Sequence, residues 1–265
     1  AQANRQPGSA FKPLVYLAGL ESGLSPEQKF IDAPFSVDAW TPKNYDELYE
    51  GDVTMHRALT KSLNTVAVQV SEAAGRDTVI ETARRLGITA PLRPHPSIAL
   101  GSFEVNLLEL TSAYAHFANG GFQTFPYIID AAITKSGTIL YERIAPAPPR
   151  VIAPRQVAAM NDMLVATIKT GTGRRAAIEG QILAGKTGTS QNWRDAWFIG
   201  YSGALVAGVW VGNDNGAPMN KVTGSGLPAQ IWRAFMTSQE NTVALPGYEN
   251  GAGKGGGLLD WLFGN

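Results

Sequence analysis

Apolar residues recur with helical spacing along most of the chain, and helices are predicted wherever that spacing extends over two or more turns. The predicted helices cover residues 9–22, 54–61, 65–74, 77–86, 106–118, 154–169 and 227–238. Glycine or proline residues lie at the ends of several of these segments, and Asn106 is placed to cap the fifth helix. The helical part of the chain therefore predicts a layer architecture in which several helices share one core.

Strand-like runs dominate the region between residues 182 and 211. Three of them, separated by polar turns, predict an antiparallel meander. Its first strand carries Lys186 and, on one shared face, Thr187 and Thr189. Gly188 between them lets another backbone approach closely. An ammonium group and two aligned hydroxyls are suited to binding a carboxylate, so this strand is the first candidate site.

The remaining segments are turn-rich. Residues 21–53 predict a long loop with short strands, held against the domain by Trp40 and Tyr45. Residues 127–134 and 138–142 predict a hairpin. The Gly-rich segment 244–265 is predicted to be a disordered tail, which leaves residues 1–243 as one domain. The pattern as a whole indicates an α/β (α+β) fold, an antiparallel sheet flanked by helices.

Composition excludes several classes of function. The chain has 265 residues with 22 basic and 22 acidic side chains, and this balance argues against nucleic acid or an acidic membrane surface as a partner. It contains no cysteine, and its three histidines are far apart, so we expect no metal site and no cofactor. No apolar run approaches the roughly 18 residues of a membrane span. The chain begins a few residues before its most suggestive motif, so we expect it to be a fragment.

Ser9 is the only serine followed three residues later by a lysine, Lys12, and this spacing puts both side chains on one helix face. The surrounding helix is so apolar that the lysine is expected to be partly buried. Burial lowers the pKa of a lysine, as a general base requires. The alternative for this pair alone is a helix cap beside a surface lysine.

Other motifs are ambiguous when taken singly. Ser62 and Asn64 lie at a predicted helix junction, where both residue types are common caps. A second Lys-Thr-Gly-Thr at 169–172 is interpreted as the end of a helix, and Ser190-Gln191-Asn192 as a hairpin turn. Residues 180–187 match the phosphate-binding pattern G-x-x-x-x-G-K-[ST], which needs a helix after its lysine. The residues after Lys186 are poor helix formers, so this alternative is disfavoured.

Three motifs in order, Ser9-x-x-Lys12, Ser62-x-Asn64 and Lys186-Thr-Gly, resemble the signatures of penicillin-binding proteins and class A β-lactamases. Longer stretches are similar to the transpeptidase domain of class A (bifunctional) penicillin-binding proteins, and the similarity extends over residues 5–238. These stretches are residues 5–13, 58–65, 99–102, 117–121, 185–190 and 195–198. The resemblance implies the penicillin-binding/β-lactamase-like transpeptidase fold and a serine-type D,D-transpeptidase, with a possible D,D-carboxypeptidase side activity.

The resemblance also implies roles for individual residues. Ser9 would be the nucleophile that attacks the D-Ala-D-Ala carbonyl of a peptidoglycan stem peptide or the ring of a β-lactam. Lys12 would be its general base, and Ser62 would carry the proton to the leaving group. The backbone N–H groups of Ser9 and Thr189 would form the oxyanion hole. The substrate-binding residues would be Asn64, Lys186, Thr187, Gly188 and Thr189.

Relatives normally have two strands before the Ser-x-x-Lys helix, a glycosyltransferase domain and a membrane anchor, so we expect a sheet lacking its N-terminal strands at one edge. The implied location is the periplasmic side of the bacterial membrane, with anchoring through a segment outside this chain. Residues 64–186 contain no Glu-x-x-x-Asn pattern, so we expect a long-lived acyl-enzyme. The alternatives are a penicillin-binding sensor or scaffold with little turnover, and the disfavoured nucleotide-binding protein.

Overall fold

The structure is a computed structural model, and it describes residues 3–144, 146–239 and 243–248. Groups of one to three helices and groups of one to three short strands follow one another along the described chain. The α-helices are α1 (Lys12–Glu21), α2 (Met55–Lys61), α3 (Asn64–Ala74), α4 (Arg76–Arg85), α5 (Leu107–Ala118), α6 (Pro154–Lys169) and α7 (Leu227–Thr237). The strands are β1 (Asn4–Arg5), β2 (Lys29–Asp32), β3 (Gly51–Thr54), β4 (Val105–Asn106), β5 (Ala131–Ile133), β6 (Ile139–Glu142), β7 (Ala184–Thr189), β8 (Asp195–Tyr201) and β9 (Val206–Gly212).

The main sheet is the antiparallel meander β7-β8-β9, as the alternating pattern predicts. All seven residues of β8 are buried, because helices cover both faces of the sheet. Trp197, Ile199 and Tyr201 face the large core, which also contains α1 and α5. Phe198 points the opposite way and packs on Trp232 of α7, with ring centroids 5.1 Å apart. The prediction of an antiparallel sheet flanked by helices is confirmed.

Helix α1 is the centre of the domain, and every residue from Lys12 to Leu20 is buried. It begins three residues later than predicted, because residues 8–11 form a 3-10 helix instead. Pro13 lacks the N–H that would bond to the Ser9 carbonyl in an α-helix, and the Lys12 N–H takes that carbonyl instead. Ser9 therefore lies within the 3-10 turn rather than at a helix cap.

The turn-rich segments fold largely as predicted. The pair β2-β3 interrupts the long loop, and β5 and β6 form the hairpin that turns at Gly137. Trp40 is half-buried and packs on the core. Tyr45 is not packed in the core, since 73% of its surface is exposed. Its hydroxyl instead accepts a hydrogen bond from Nε1 of Trp193, at 3.0 Å.

The predicted disordered tail needs a correction at its beginning. Leu245 is buried in the core at 2% exposure, and Asn161 Nδ2 of α6 donates to the Pro246 carbonyl at 2.8 Å. Residues 245–248 therefore pack against the domain, since Leu245 is buried and Lys169 of α6 also donates to the Tyr248 hydroxyl at 2.8 Å. The rest of the predicted tail, residues 249–265, lies outside the described residues.

Within the described ranges, none of the helices combines the length and apolar character needed to cross a bilayer. The same ranges contain no group of three or more His, Asp or Glu side chains arranged to hold a metal ion.

Candidate active site

Two glycines bring the Ser9 segment against strand β7. A Cβ atom on Gly188 would lie 2.2 Å from the Pro7 carbonyl oxygen, and one on Gly8 would lie 2.5 Å from the Thr189 oxygen. Gly8 also has a φ of +53°, which favours glycine. The close backbone approach predicted at Gly188 is thus observed. It sets the backbones of Ser9 and Thr189 side by side at the edge of a cleft.

Lys12 is fully buried beneath this edge and faces the second motif. Its Nζ donates to the Ser62 carbonyl at 2.7 Å and to Asn64 Oδ1 at 2.8 Å, with longer contacts to Ser62 Oγ and the Leu63 carbonyl, both at 3.3 Å. In the described part of the chain, Ser9 Oγ has no hydrogen-bond partner, Lys12 included. Burial lowers the pKa of Lys12 well below that of a free lysine, and the nearby Lys186 lowers it further.

Ser62 Oγ is shared by the two buried lysines. Lys186 Nζ donates to it at 2.8 Å, and Lys12 Nζ donates to it at 3.3 Å. Burial lowers the pKa of Lys186 to about 7. Ser62 ends helix α2 in the left-handed conformation, with φ +61°, which is uncommon for a residue with a side chain and is concentrated at functional sites. The sequence pattern gave no sign of this backbone geometry.

Asn64 is the first residue of α3, one position earlier than the predicted start. Its carboxamide is held at both ends, since Oδ1 accepts from Lys12 and Nδ2 donates to the Lys43 carbonyl at 2.8 Å. Its backbone N–H donates to Asn44 Oδ1 at 2.7 Å. The long loop that contains Lys43 and Asn44 thus contacts the second motif directly, which sequence reasoning missed.

The threonines of β7 face the cleft together, as strand alternation predicts. Thr189 Oγ1 accepts from the Gly224 N–H at 3.1 Å. The Thr187 hydroxyl lies 2.8 Å from that of Thr172, a residue of the second Lys-Thr-Gly-Thr. That motif does end helix α6, with Lys169 exposed. Its last threonine nevertheless reaches the cleft, and this residue too was missed.

Thr172 lies between two glycines, Gly171 and Gly173, at positions where the structure leaves little room for a side chain. A Cβ on Gly171 would lie 2.2 Å from the Thr60 carbonyl, and one on Gly173 3.2 Å from the Thr167 carbonyl. Two such close approaches fix the turn so that the intervening hydroxyl faces β7.

The phosphate-loop alternative is wrong. Lys186 lies inside strand β7, and the chain then passes through a three-residue 3-10 turn into β8. A phosphate-binding loop requires a helix after its lysine, so that the first N–H groups of the helix can bind the anion. The turn at residues 190–194 agrees with the predicted hairpin.

A cleft of about 810 Å³ connects the three motifs. Hydroxyl and amide side chains dominate its walls, and among the described residues that line it Asp46 is the only carboxylate. The walls of the cleft therefore carry little negative charge, and the cleft is suited to a polar ligand that forms hydrogen bonds. Its lining includes Ser9, Ser62, Asn64, Ser102, Thr172, Thr187, Thr189 and Thr223.

A family model described as the penicillin binding protein transpeptidase domain matches residues 1–237. The chain belongs to this family. Penicillin-binding protein 1A of Aquifex aeolicus is 40% identical over 89% of this chain and 33% of its own length. Penicillin-binding protein 1A of Rickettsia prowazekii is 36% identical over 92% of this chain and 35% of its own length. The predicted resemblance to class A members is confirmed.

Solved structures agree with the family assignment. Penicillin-binding protein 1A of Haemophilus influenzae superposes with a TM-score of 0.84 at 28% identity, covering 93% of this chain and 44% of that one. The PonA1 protein of Mycobacterium tuberculosis, solved in complex with penicillin V, superposes with a TM-score of 0.81 at 26% identity, covering 93% and 74%. This transpeptidase domain spans about a third of the length of the curated relatives that it matches.

Proposed function

We propose that this chain is a D,D-transpeptidase domain that forms a serine acyl-enzyme on Ser9 with peptidoglycan stem peptides and is acylated at the same atom by β-lactams. One observation carries the proposal. Two fully buried lysines, both with lowered pKa values, share the Ser62 hydroxyl at the base of the cleft into which Ser9 opens. A polar cluster so costly to bury is retained where acyl transfer needs a base and a proton carrier.

In the proposed acylation step, the neutral Lys12 amine accepts the Ser9 hydroxyl proton while Oγ attacks the carbonyl between the two terminal D-alanines. The N–H groups of Ser9 and Thr189 stabilise the resulting oxyanion. The C–N bond then breaks, and Ser62 passes the proton from Lys12 to the departing D-alanine amine. The lowered pKa of Lys12 supports this role, because an ordinary ammonium could not accept the proton near neutral pH.

The substrate carboxylate has a matching subsite on β7. Lys186 supplies the charge, the hydroxyls of Thr187 and Thr189 supply hydrogen bonds, and Gly188 gives the strand its close contact with the Ser9 segment. A bound carboxylate would raise the pKa of Lys186 again, because an opposite charge favours the ammonium form. Binding the carboxylate thereby also recharges the lysine that contacts Ser62.

Asn64 is proposed to have two partners, since its side chain binds both Lys12 and the donor peptide. Its carboxamide lies in the cleft lining, with Oδ1 on Lys12 and Nδ2 on the Lys43 carbonyl. Each amide hydrogen and oxygen lone pair can serve one partner, so one N–H and one lone pair stay available for the substrate amide.

The acyl-enzyme is proposed to await an amine from a second stem peptide. Hydrolysis would need a base that positions water, and the only carboxylate in the described cleft lining, Asp46, is exposed and bonded to the Leu48 N–H. The proposal places the domain on the periplasmic side of the membrane, joined to further segments of a longer polypeptide. It assigns the domain to residues 1–243, extended to Tyr248 by the contacts of Leu245 and Pro246.

The proposed function is tested by measuring turnover of a donor peptide. The protein is mixed with a donor peptide ending in D-Ala-D-Ala and with an amine acceptor such as glycine amide, and products are followed by mass spectrometry. We expect release of one D-alanine per new amide bond, with no product from Ser9→Ala. A D,D-carboxypeptidase side activity would show as free tetrapeptide. Penicillin acylation without peptide turnover would instead favour the sensor or scaffold alternative.

A further inference from the structure

The loop from Trp40 to Glu50 connects a buried carboxylate to the second motif. Asp32, at the end of β2, is fully buried and its Oδ1 accepts from Asn44 Nδ2 at 2.8 Å. The Thr65 hydroxyl also donates to Oδ1, and the Glu50 N–H donates to Oδ2 at 2.8 Å. The carboxylate therefore has three internal donors, and one of them is the side chain of Asn44.

Asn44 uses every polar atom of its side chain and is only 4% exposed. Besides Asp32, its Nδ2 donates to the Leu48 carbonyl at 2.8 Å, which closes the loop on itself. Its Oδ1 accepts from the backbone N–H groups of Asn64 at 2.7 Å and Thr65 at 3.4 Å. These are the first two N–H groups of α3, which no residue of the helix can satisfy. Asn44 thus caps α3 from a distant segment of the chain.

Lys43, the residue before Asn44, sets the orientation of the Asn64 side chain. The Lys43 carbonyl accepts from Asn64 Nδ2 at 2.8 Å, and this bond leaves Asn64 Oδ1 to face Lys12 Nζ, also at 2.8 Å. If the carboxamide were flipped, its NH₂ group would point at the lysine and its oxygen at a carbonyl. The loop therefore selects the orientation in which Asn64 receives a hydrogen bond from Lys12.

We propose that Asn44 is a positioning residue for acylation: anchored on Asp32, it places the start of α3 and the Lys43 carbonyl so that Asn64 holds Lys12 beside Ser62. The inference rests on the proposed function, since it assigns a purpose to the Lys12 contacts. Asn44 itself contacts the lysine nowhere in the described structure; it acts through Asn64. A displacement of about 1 Å at a catalytic group can lower a rate by roughly 100-fold.

The experiment measures acylation by a fluorescent penicillin in two parts, the dissociation constant of the initial complex and the first-order acylation rate, on folded protein counted by active-site titration. Asn44→Asp keeps the shape but replaces the donor to Asp32 with a second carboxylate. We expect its acylation rate to fall by roughly 10- to 100-fold with little change in the dissociation constant. Asp32→Asn combined with Asn44→Asp restores a donor–acceptor pair and should recover part of that rate.

Glu47→Ala is the matched control, because Glu47 lies in the same loop and its exposed side chain pairs with Lys43 at 3.2 Å. It should acylate at the wild-type rate. Thermal unfolding of each variant separates positioning from stability: a purely structural Asn44 would lower the melting temperature and leave the rate of the folded fraction unchanged. That result, or equal rates in Asn44→Asp and wild type, would overturn the inference. Failure of the wild type to be acylated would refute the proposed function instead.

Discussion

Replacing Lys186 by methionine should stabilise the fold while abolishing acylation. The lysine is fully buried and has no acidic partner among its hydrogen-bonded neighbours, Ser62 and the Thr187 carbonyl. Its pKa falls from 10.5 to about 7, and at 1.36 kcal/mol for each unit of pKa this corresponds to about 5 kcal/mol of destabilisation at low pH. Loss of the hydrogen bond to Ser62 offsets about 1 kcal/mol. We expect Lys186→Met to be more stable by up to about 4 kcal/mol at pH 6.

The stability difference between Lys186→Met and wild type should depend on pH in a defined direction. The pKa of Lys186 is lower in the folded protein than in the unfolded chain, so between about pH 7 and pH 10.5 the unfolded state binds more protons. The lysine therefore contributes a free energy of unfolding that rises with pH through this window. The advantage of Lys186→Met over wild type should shrink as pH increases from 6 to 9.5.

Urea unfolding of both proteins at pH 6, 7, 8 and 9.5 measures the difference directly. Lys169→Met is the control, because Lys169 is exposed at the end of α6 and its loss should change stability by a few tenths to about 1 kcal/mol at every pH. It should also leave acylation intact, whereas Lys186→Met should lose it. A destabilised Lys186→Met, or an advantage independent of pH, would refute the reasoning that burial controls this lysine.

Three further predictions concern the cleft. Thr172→Val should lower acylation efficiency up to about tenfold, because it removes the hydroxyl that contacts Thr187. Thr172→Ser and the exposed Thr170→Val should acylate with wild-type efficiency, as measured by stopped-flow acylation rates. Ser62→Gly should exceed Ser62→Ala in stability by about 1 kcal/mol in urea unfolding, because only glycine relieves the φ of +61°, and both should lose acylation. The penicillin adduct should persist for minutes or longer by intact mass, and its loss within seconds with penicilloate release would show a hydrolytic base.

The sequence predicted the periodic elements well, because they are determined by local patterns. The meander, the hairpin and most helices follow from spacing alone, and the three motifs followed from residue order. Helix α1 shows the limit of the pattern: the missing N–H of Pro13 converts the first predicted turn into a 3-10 helix and puts Ser9 inside it. That effect is local but too fine for hydrophobic spacing to reveal.

What the sequence could not predict depends on contacts between distant segments. Asn44 and Thr172 occur in stretches interpreted as a loop and a helix end, yet tertiary packing brings one to the start of α3 and the other to β7. Leu245 is similar, since this apolar residue of a Gly-rich region is buried in the core while the next residue, Pro246, accepts a hydrogen bond from α6. The exposed Tyr45 shows the reverse, an aromatic residue without a core position.

The most direct test of the account is the site of covalent attachment. The protein is incubated with benzylpenicillin, digested, and the modified peptide is sequenced by tandem mass spectrometry. The account predicts one adduct per chain, on Ser9, which lies in the cleft above Lys12 and Ser62, and no adduct in Ser9→Ala. An adduct on Ser62 or Ser190, or an undiminished adduct in Ser9→Ala, would contradict it.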